Sequence, residues 1–462
     1  MDYAFGAAVI VVALFAAGHA VVYKRDPRSA ALWLLVIMLL PAAGPVLYMF
    51  FGVNRVQRRA ARMRGTQLGK NRPPPSLEQT LPGTQLAPLA RVVGAVAERP
   101  LVEGNAVEAL VDGREAYPAM LSAIDGAKSS IALASYIFHG DGIGERFVNA
   151  LAAAHRRGVN VRVLIDDVSV RFSWSSAAKK LGRAGVPVGV FNPTLVPARL
   201  HALHLRNHRK ILVVDGLVGF TGGLNIDRRY WGEGAYRDLQ FRLRGPIVAQ
   251  LMEVFAEDWE FSTDEALRGA PWFCHPADAG TAIARTIDAG PDETFERLRW
   301  AYIAGLNEAR RSVRVCTPYF VPDAALISEL NAAALRGVEV DILLPEKSDL
   351  PHVHWAAVHQ LWQVLEYGCR VWMQPPPFDH SKLMVIDSEW TLFGSGNWDA
   401  RSMRLNFELG VECYSRELGR KMDELIRDRR TKSRPVTLES LNARPLPVKL
   451  RDGVARLFAP LL

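Results

Sequence analysis

One strand–helix–strand pattern occurs twice in this chain, and that repetition limits the fold more than any other feature. Residues 119–167 read as a helix, a strand over 130–138, a helix through 150–157 ended by Gly158, and a strand over 159–165. Residues 301–345 read the same way: a helix to Ala309, a strand over 312–320, a helix over 324–335, Gly337, and a strand over 338–344. The segment RRGVNVRVLI echoes LRGVEVDILL, and Ser135-Tyr136 echoes Pro318-Tyr319. The strands are continuous apolar runs, which implies a sheet covered by helices on both faces. The expected fold is α/β, with two pseudo-symmetric halves built on mixed sheets over 101–270 and 271–425. Repeats of this kind place one composite site where the halves meet.

Each half ends in the same constellation. The first holds His208-x-Lys210-x4-Asp215 and then Gly222-Gly223-x-Asn225; the second holds His380-x-Lys382-x4-Asp387 and then Gly394-Ser395-x-Asn397. At this chain's own residue frequencies, about 0.01 chance matches to H-x-K-x4-D are expected. Two matches at equivalent places in a repeat are therefore a built feature. Residues 211–214 and 383–386 are strand-forming, so His and Lys at i and i+2 project to one side and converge on one ligand. Imidazole can act as nucleophile or general acid near neutral pH, and ammonium neutralises phosphate oxygens. Asp215 and Asp387 have the opposite parity, so a catalytic role and a structural role at the strand end both stand.

A nucleophilic imidazole needs an acceptor on its second nitrogen. Asp238, 30 residues after His208, and Glu408, 28 after His380, are the expected His-orienting residues. Ordinary strand-edge charges are the alternative reading. The groups His201, His204, His208 and His352, His354, His359 could suggest a metal. The first lacks a carboxylate to complete a zinc signature and the second lies on an expected helix with a tryptophan, so no metal or other cofactor is expected.

Charge is unevenly placed. The 462 residues carry a net +8, of which residues 1–28 supply +1 and residues 55–72 supply +7 (Arg55, Arg58, Arg59, Arg62, Arg64, Lys70 and Arg72, with no acid). The remaining 390 residues, 73–462, are neutral overall, which argues against nucleic acid as a partner. The basic run instead follows two apolar stretches, 3–23 and 30–52, where cations meet anionic lipid headgroups. A cleaved signal peptide fits poorly, because the basic residues follow the first stretch. The expectation is an N-terminal transmembrane hairpin over 1–54, its second arm interrupted by Pro41, Gly44 and Pro45. A basic, Pro-rich linker over 55–100 follows, with the globular part starting near Leu101. The seven basic residues outvote the three in the 24–28 loop and put the bulk in the cytoplasm, against the loop's own charge. The 426–462 tail adds Arg427–Arg434 and the amphipathic VARLFAPLL. It reads either as a second membrane contact or as a solvated basic tail. Four scattered cysteines, Cys274, Cys316, Cys369 and Cys413, form no C-x-x-C and suggest thiols in a reducing compartment.

These residues resemble the phospholipase D superfamily, and within it the bacterial cardiolipin synthases. The resemblance runs through RDPRSAALWLLVIMLLPAAGPVLYMFFG, SYIFHGDGIG, RNHRKILVVDG, GGLNI, AGPDE, TPYFVPD and HSKLMVIDSEWTLFGSGNWDARSMRLNFE. Two departures are Asp379, where a hydrophobic residue is usual, and Ala289, where serine is usual. Asp379 is expected to push the His380 pKa upward. The resemblance implies a multi-pass enzyme of the bacterial inner membrane that transfers a phosphatidyl group between two phosphatidylglycerol molecules, giving cardiolipin and glycerol through a phosphatidyl–histidine intermediate. It implies His208 as nucleophile and His380 as acid and base, or the reverse, with Lys210, Lys382, Asn225 and Asn397 on the phosphate oxygens. Rival readings are a phospholipase D that uses water as acceptor, a nuclease of the same superfamily, and a non-enzymatic membrane scaffold. The last predicts degraded motifs, whereas all six HKD positions are intact.

Overall fold

The computed structural model describes residues 2–24, 27–49, 85–97, 99–171, 175–193, 205–291 and 296–457. The basic run 55–72, the prolines 73–82, His201 and His204 lie outside the described residues. Two compact units are present.

The N-terminal unit is helical. The helix Asp2–Tyr23 includes Phe5–Tyr23, which among the described residues is the one segment long and apolar enough to cross a membrane. The second apolar stretch does not form one long helix. Its helix Pro27–Leu39 stops just before Pro41, which lacks the N–H needed to continue, and the chain resumes as the short helix Ala43–Leu47. Ala16 and Ala20, one turn apart, pack with Ile37 and Tyr48, and His19 Nδ1 lies 2.9 Å from the Tyr48 hydroxyl.

The second unit has 18 strands among the described residues, 16 in one mixed sheet and two, Phe320–Val321 and Trp398–Asp399, paired by themselves. In the first half these are β1 (Val102–Val111), β2 (Ser130–Ser135), β3 (Asn160–Asp166), β4 (Val188–Phe191), β5 (Arg206–Asn207), β6 (Ile211–Val214), β7 (Val218–Gly222) and β8 (Leu239–Arg244). The second half supplies β9 (Ala282–Ala289), β10 (Ser312–Cys316), β11 (Phe320–Val321), β12 (Glu339–Pro345), β13 (Arg370–Gln374), β14 (Leu383–Ile386), β15 (Trp390–Gly394), β16 (Trp398–Asp399), β17 (Asn406–Tyr414) and β18 (Arg434–Val436). Read outward from the centre, one half runs β1-β8-β7-β6-β2-β3-β4 and the other β9-β17-β15-β14-β10-β12-β13, with β18 added at the edge. The antiparallel β1–β9 pair joins them. Equivalent strands therefore occupy equivalent places about a pseudo-twofold axis.

Helices cover both faces, as continuous apolar strands require. Asp112–Gly126 and Ile143–Arg156 pack on the first half, and Arg297–Glu308 and Ala324–Leu335 on the second. Ile247–Thr263 and Arg416–Thr431 pack against strands of the first and second half respectively. Side-chain caps fix the helix starts: Asp323 accepts the Ala325 and Leu326 amides at 3.0 Å each, and Ser415 caps Arg416–Thr431.

Three sequence expectations need correction. The expected strands 130–138 and 312–320 end at Ser135 and Cys316, because the chain leaves the sheet to present Tyr136 and Tyr319. The globular part begins before Leu101: Leu89, Ala90 and Val93 of the helix Ala87–Val96 are fully buried in the core of the second half. Nor is Arg427–Arg434 a solvated tail. Arg429 is buried against Asp379 at 2.7 Å, Arg430 meets Asp341 at 2.8 Å, and β18 joins the sheet.

Candidate active site

Each HKD histidine is delivered by a segment laid beside the other half's strand. β5 pairs in parallel with the start of β17, and the His208 amide donates to the Phe407 carbonyl at 2.9 Å. In the mirror arrangement Arg237 bridges Asp379, and the His380 amide donates to the Arg237 carbonyl at 2.8 Å. The carboxylates therefore meet the imidazoles crosswise. His208 Nδ1 lies 2.9 and 3.0 Å from the two Glu408 oxygens, and His380 Nδ1 lies 2.8 Å from Asp238 Oδ2. The offsets of 30 and 28 residues were counted within each half, but both hydrogen bonds run between halves.

Both lysines follow their histidines on the same side, and the structure brings them together with the imidazoles. Each Nζ donates to its own histidine carbonyl, Lys210 at 2.7 Å and Lys382 at 2.5 Å. Tyr136 stands edge-on to His208, with ring centroids 4.9 Å apart, and over the Lys210 ammonium; Tyr319 takes the matching place beside His380. Asn225 Oδ1 accepts the Ile137 amide at 3.2 Å, and its Nδ2 donates to the Tyr230 hydroxyl at 3.3 Å. Asn397 Nδ2 donates to the Ser402 hydroxyl at 3.2 Å, while its Oδ1 is buried with no hydrogen-bond partner among the described residues. The histidines, lysines and asparagines are buried, and Tyr136 and Tyr319 are half-buried.

The two halves of the site are not electrically equal. Glu408 also accepts hydrogen bonds from Ser395 Oγ at 2.5 Å and Asn406 Nδ2 at 3.1 Å. Burial pushes its pKa up, but His208, Lys210 and Ser395 together hold it below the usual carboxylate value. Asp238 has Gly223 where Glu408 has Ser395, and a Cβ at Gly223 would lie 2.2 Å from Asp238 Oδ1. Burial raises the Asp238 pKa to about 8. Burial likewise lowers His208 to about 4, Lys210 to about 7 and Lys382 to about 8. His380 falls well below its ordinary value through burial and the nearby cations Lys382 and Lys210. Two buried ammoniums with depressed pKa values beside two imidazoles make a site suited to an anion.

The HKD aspartates lie elsewhere. Asp215 and Gly216, with φ of +54° and +66°, form the turn between β6 and β7; Asp387 and Ser388, at +53° and +56°, form the turn between β14 and β15. Asp215 accepts the backbone amides of Lys128, Ser129 and Ser130 and the Ser129 hydroxyl. Asp387 accepts those of Arg310, Arg311 and Ser312. Their placement is structural, as their parity allows: they clamp the start of β2 and β10. Asp379 does not raise His380 as expected, because its carboxylate is engaged by Arg429 at 2.7 Å and the Ser381 amide at 2.9 Å.

His352, His354 and His359 lie on the helix Pro351–Gln360. Among the described residues no group of three or more His, Cys, Asp or Glu is arranged to hold a metal ion. Sequence reasoning missed Tyr230, whose hydroxyl lies 3.1 Å from His380 Nδ1, and Asn406. Ser395 was noted only as part of the Gly/Asn pattern. The one available signal was the G-G versus G-S difference between otherwise equal motifs.

A family model described as "Cardiolipin synthase, PLD-like domain" matches residues 120–259 and 302–429, and one described as "Phospholipase_D-nuclease N-terminal" matches 8–52. The chain is 32% identical to the major cardiolipin synthase ClsA of Bacillus subtilis (strain 168) over 457 residues, 95% of each chain. It is 30% identical to the cardiolipin synthase of Listeria monocytogenes serotype 4a (strain HCC23) over 475 aligned positions, 98% of each chain. The solved phosphatidylserine synthase of Haemophilus influenzae Rd KW20 shares the fold, with a TM-score of 0.62 at 16% identity over 81% of this chain and 100% of that one. The chain belongs to the cardiolipin synthase family of phospholipase D-like phosphatidyltransferases.

Proposed function

We propose that this protein makes cardiolipin from two phosphatidylglycerol molecules by two displacements at phosphorus, with one histidine carrying the phosphatidyl group between them. The observation that carries the reading is the pair of buried imidazoles, each with Nδ1 on a carboxylate. An Nδ1–H donated to Glu408 leaves the His208 Nε2 lone pair free to attack. Glu408, kept ionised by its neighbours, then offsets the positive charge that develops on the phosphorylated ring. His208 is accordingly the nucleophile. The Asp238–His380 pair retains a proton near neutral pH because burial raises Asp238, and the leaving glycerol oxygen takes a proton from His380 Nε2. In the second step His380 removes the proton from the hydroxyl of the incoming phosphatidylglycerol, whose oxygen displaces His208 from phosphorus. Lys210 and Lys382 hold the non-bridging oxygens, with Asn225 and Asn397 beside them, stabilising charge as the five-coordinate state forms.

Lipid substrates account for the apolar helix Phe5–Tyr23. We read the protein as a multi-pass enzyme of the bacterial inner membrane with its catalytic part in the cytoplasm. The test is to incubate detergent-solubilised enzyme with phosphatidylglycerol alone and resolve the products by mass spectrometry. Cardiolipin plus free glycerol, absent with His208→Ala, is expected. Phosphatidic acid without cardiolipin would make water the acceptor and overturn the synthase reading.

A further inference from the structure

The helix Leu446–Leu457 shows an apolar stripe to solvent. Leu446, Leu450, Val454 and Leu457 are 67%, 60%, 55% and 77% exposed, and at about 100° per residue they fall within an arc of roughly 80°. Such a stripe on an otherwise satisfied helix needs an explanation. The opposite face is docked: Ala455 joins Val321, Val353, Ala356 and Ala357 in a small core, and the buried Asp452 is held by Arg444 at 2.6 Å and Arg451 at 2.7 Å.

Cations border the stripe on both sides. On a helical projection Lys449 and Arg456 lie along one flank and Arg451 along the other, with the Arg451 guanidinium 4.4 Å from the Trp355 ring centroid. Aliphatic side chains between basic flanks match the boundary of an anionic bilayer, where chains enter the acyl region and cations meet headgroups. The helix is also one layer from the chemistry. Tyr319, beside His380, packs on the same small core that holds Ala455.

We propose that Leu446–Leu457 is an in-plane membrane helix, seated on anionic lipid, that holds the mouth of the active site at the bilayer surface. This deepens the lipid-substrate reading and rests on it only for its purpose, because lipid contact is measurable without turnover.

The experiment uses the full chain in nanodiscs of phosphatidylglycerol and phosphatidylcholine, with Cys274 replaced by Ser and a polarity-sensitive fluorophore on Leu450→Cys. The control carries the label on Arg420→Cys, exposed on the helix Arg416–Thr431. That residue lines a cavity with Asp387, which lies at the far end of β14 from His380. Nitroxide-labelled lipid is expected to quench the 450 label about threefold more than the 420 label, with a blue shift at 450 only. A Leu450→Glu/Val454→Glu variant is expected to keep its melting temperature and its kcat on a short-chain soluble substrate. Its KM for phosphatidylglycerol in vesicles should rise about fivefold. Equal quenching at the two sites overturns the inference, as does a 450 label shielded from both lipid and aqueous quencher, which would mark a second copy or another protein on the stripe. Strong quenching at 450 without any cardiolipin would leave this inference standing and sink the proposed reaction instead.

Discussion

His208 and its carboxylate partner Glu408 are 200 residues apart and belong to different halves of the repeat, yet Nδ1 and Oε2 lie 2.9 Å apart. Asp238 and His380 make the reciprocal bond at 2.8 Å. Neither half contains an oriented imidazole by itself, so duplication here builds one site that requires both copies.

The crossed pairing predicts which substitutions act together. Glu408→Gln is expected to reduce kcat by about 10²–10³-fold and Ser395→Ala by about tenfold, since both weaken the same carboxylate. Adding Ser395→Ala to Glu408→Gln should cost nothing further, whereas adding it to Asp238→Asn should cost the full tenfold. Steady-state kinetics on the three single and two double variants decides. Additivity with Glu408→Gln would mean that Ser395 acts elsewhere.

Asp215 should matter for stability before chemistry. Its charge-assisted bonds to three amides and a hydroxyl hold the strand start. Asparagine tolerates the same left-handed turn but cannot accept them as well. Asp215→Asn is expected to lose about 2–4 kcal/mol of stability in a denaturant titration. The folded fraction should keep kcat within about threefold, since nothing the residue touches faces phosphorus. Burial pushes the Asp215 pKa up, but the amides of Ser130, Ser129 and Lys128 outweigh this and hold it below its ordinary value. Its contribution is therefore complete above an unfolded pKa near 4 and fades as pH falls below it.

Phosphate binding should carry a proton linkage. Free Lys210 and Lys382 titrate at about 7 and about 8 because burial disfavours their charge, and a bound phosphodiester raises both. Binding therefore takes up protons, and affinity weakens as pH rises through about 7 and beyond. Calorimetry with a soluble phosphodiester, whose own charge is constant over this range, should show about a tenfold weaker Kd at pH 9 than at pH 6.5. In Lys210→Met the dependence should shrink. A pH-independent Kd in the intact enzyme would mean that the lysines do not hold the phosphate.

Much of this architecture is legible in the sequence. The strands Ile211–Val214 and Leu383–Ile386 and the helix Ala324–Leu335 fall where the apolar runs put them, because local pattern and burial agree there. The duplicated His, Lys and Asn positions were readable from spacing alone. The crossing of the carboxylates was not, since it depends on β5 pairing with β17 across the pseudo-twofold axis, and one sequence carries no record of long-range strand pairing. The helix Ala87–Val96 was absorbed into a Pro-rich linker because composition outweighed a short amphipathic signal. Asp379 misled because a neighbour in sequence points away from His380, toward Arg429, as the alternation of an extended chain requires.

The central claim is a covalent phosphatidyl group on His208, and the most direct measurement is to trap it. His380→Ala removes the proton donor and acceptor, so a phosphatidyl ester of p-nitrophenol, which needs no acid to leave, should load the enzyme and stop. Protein quenched in alkaline denaturant, where a phosphorus–imidazole bond survives, should gain the mass of one phosphatidyl group on the peptide containing His208, with a stoichiometric burst of nitrophenol, and His208→Ala should show neither. A burst without adduct, or an adduct that persists in His208→Ala, would contradict the mechanism.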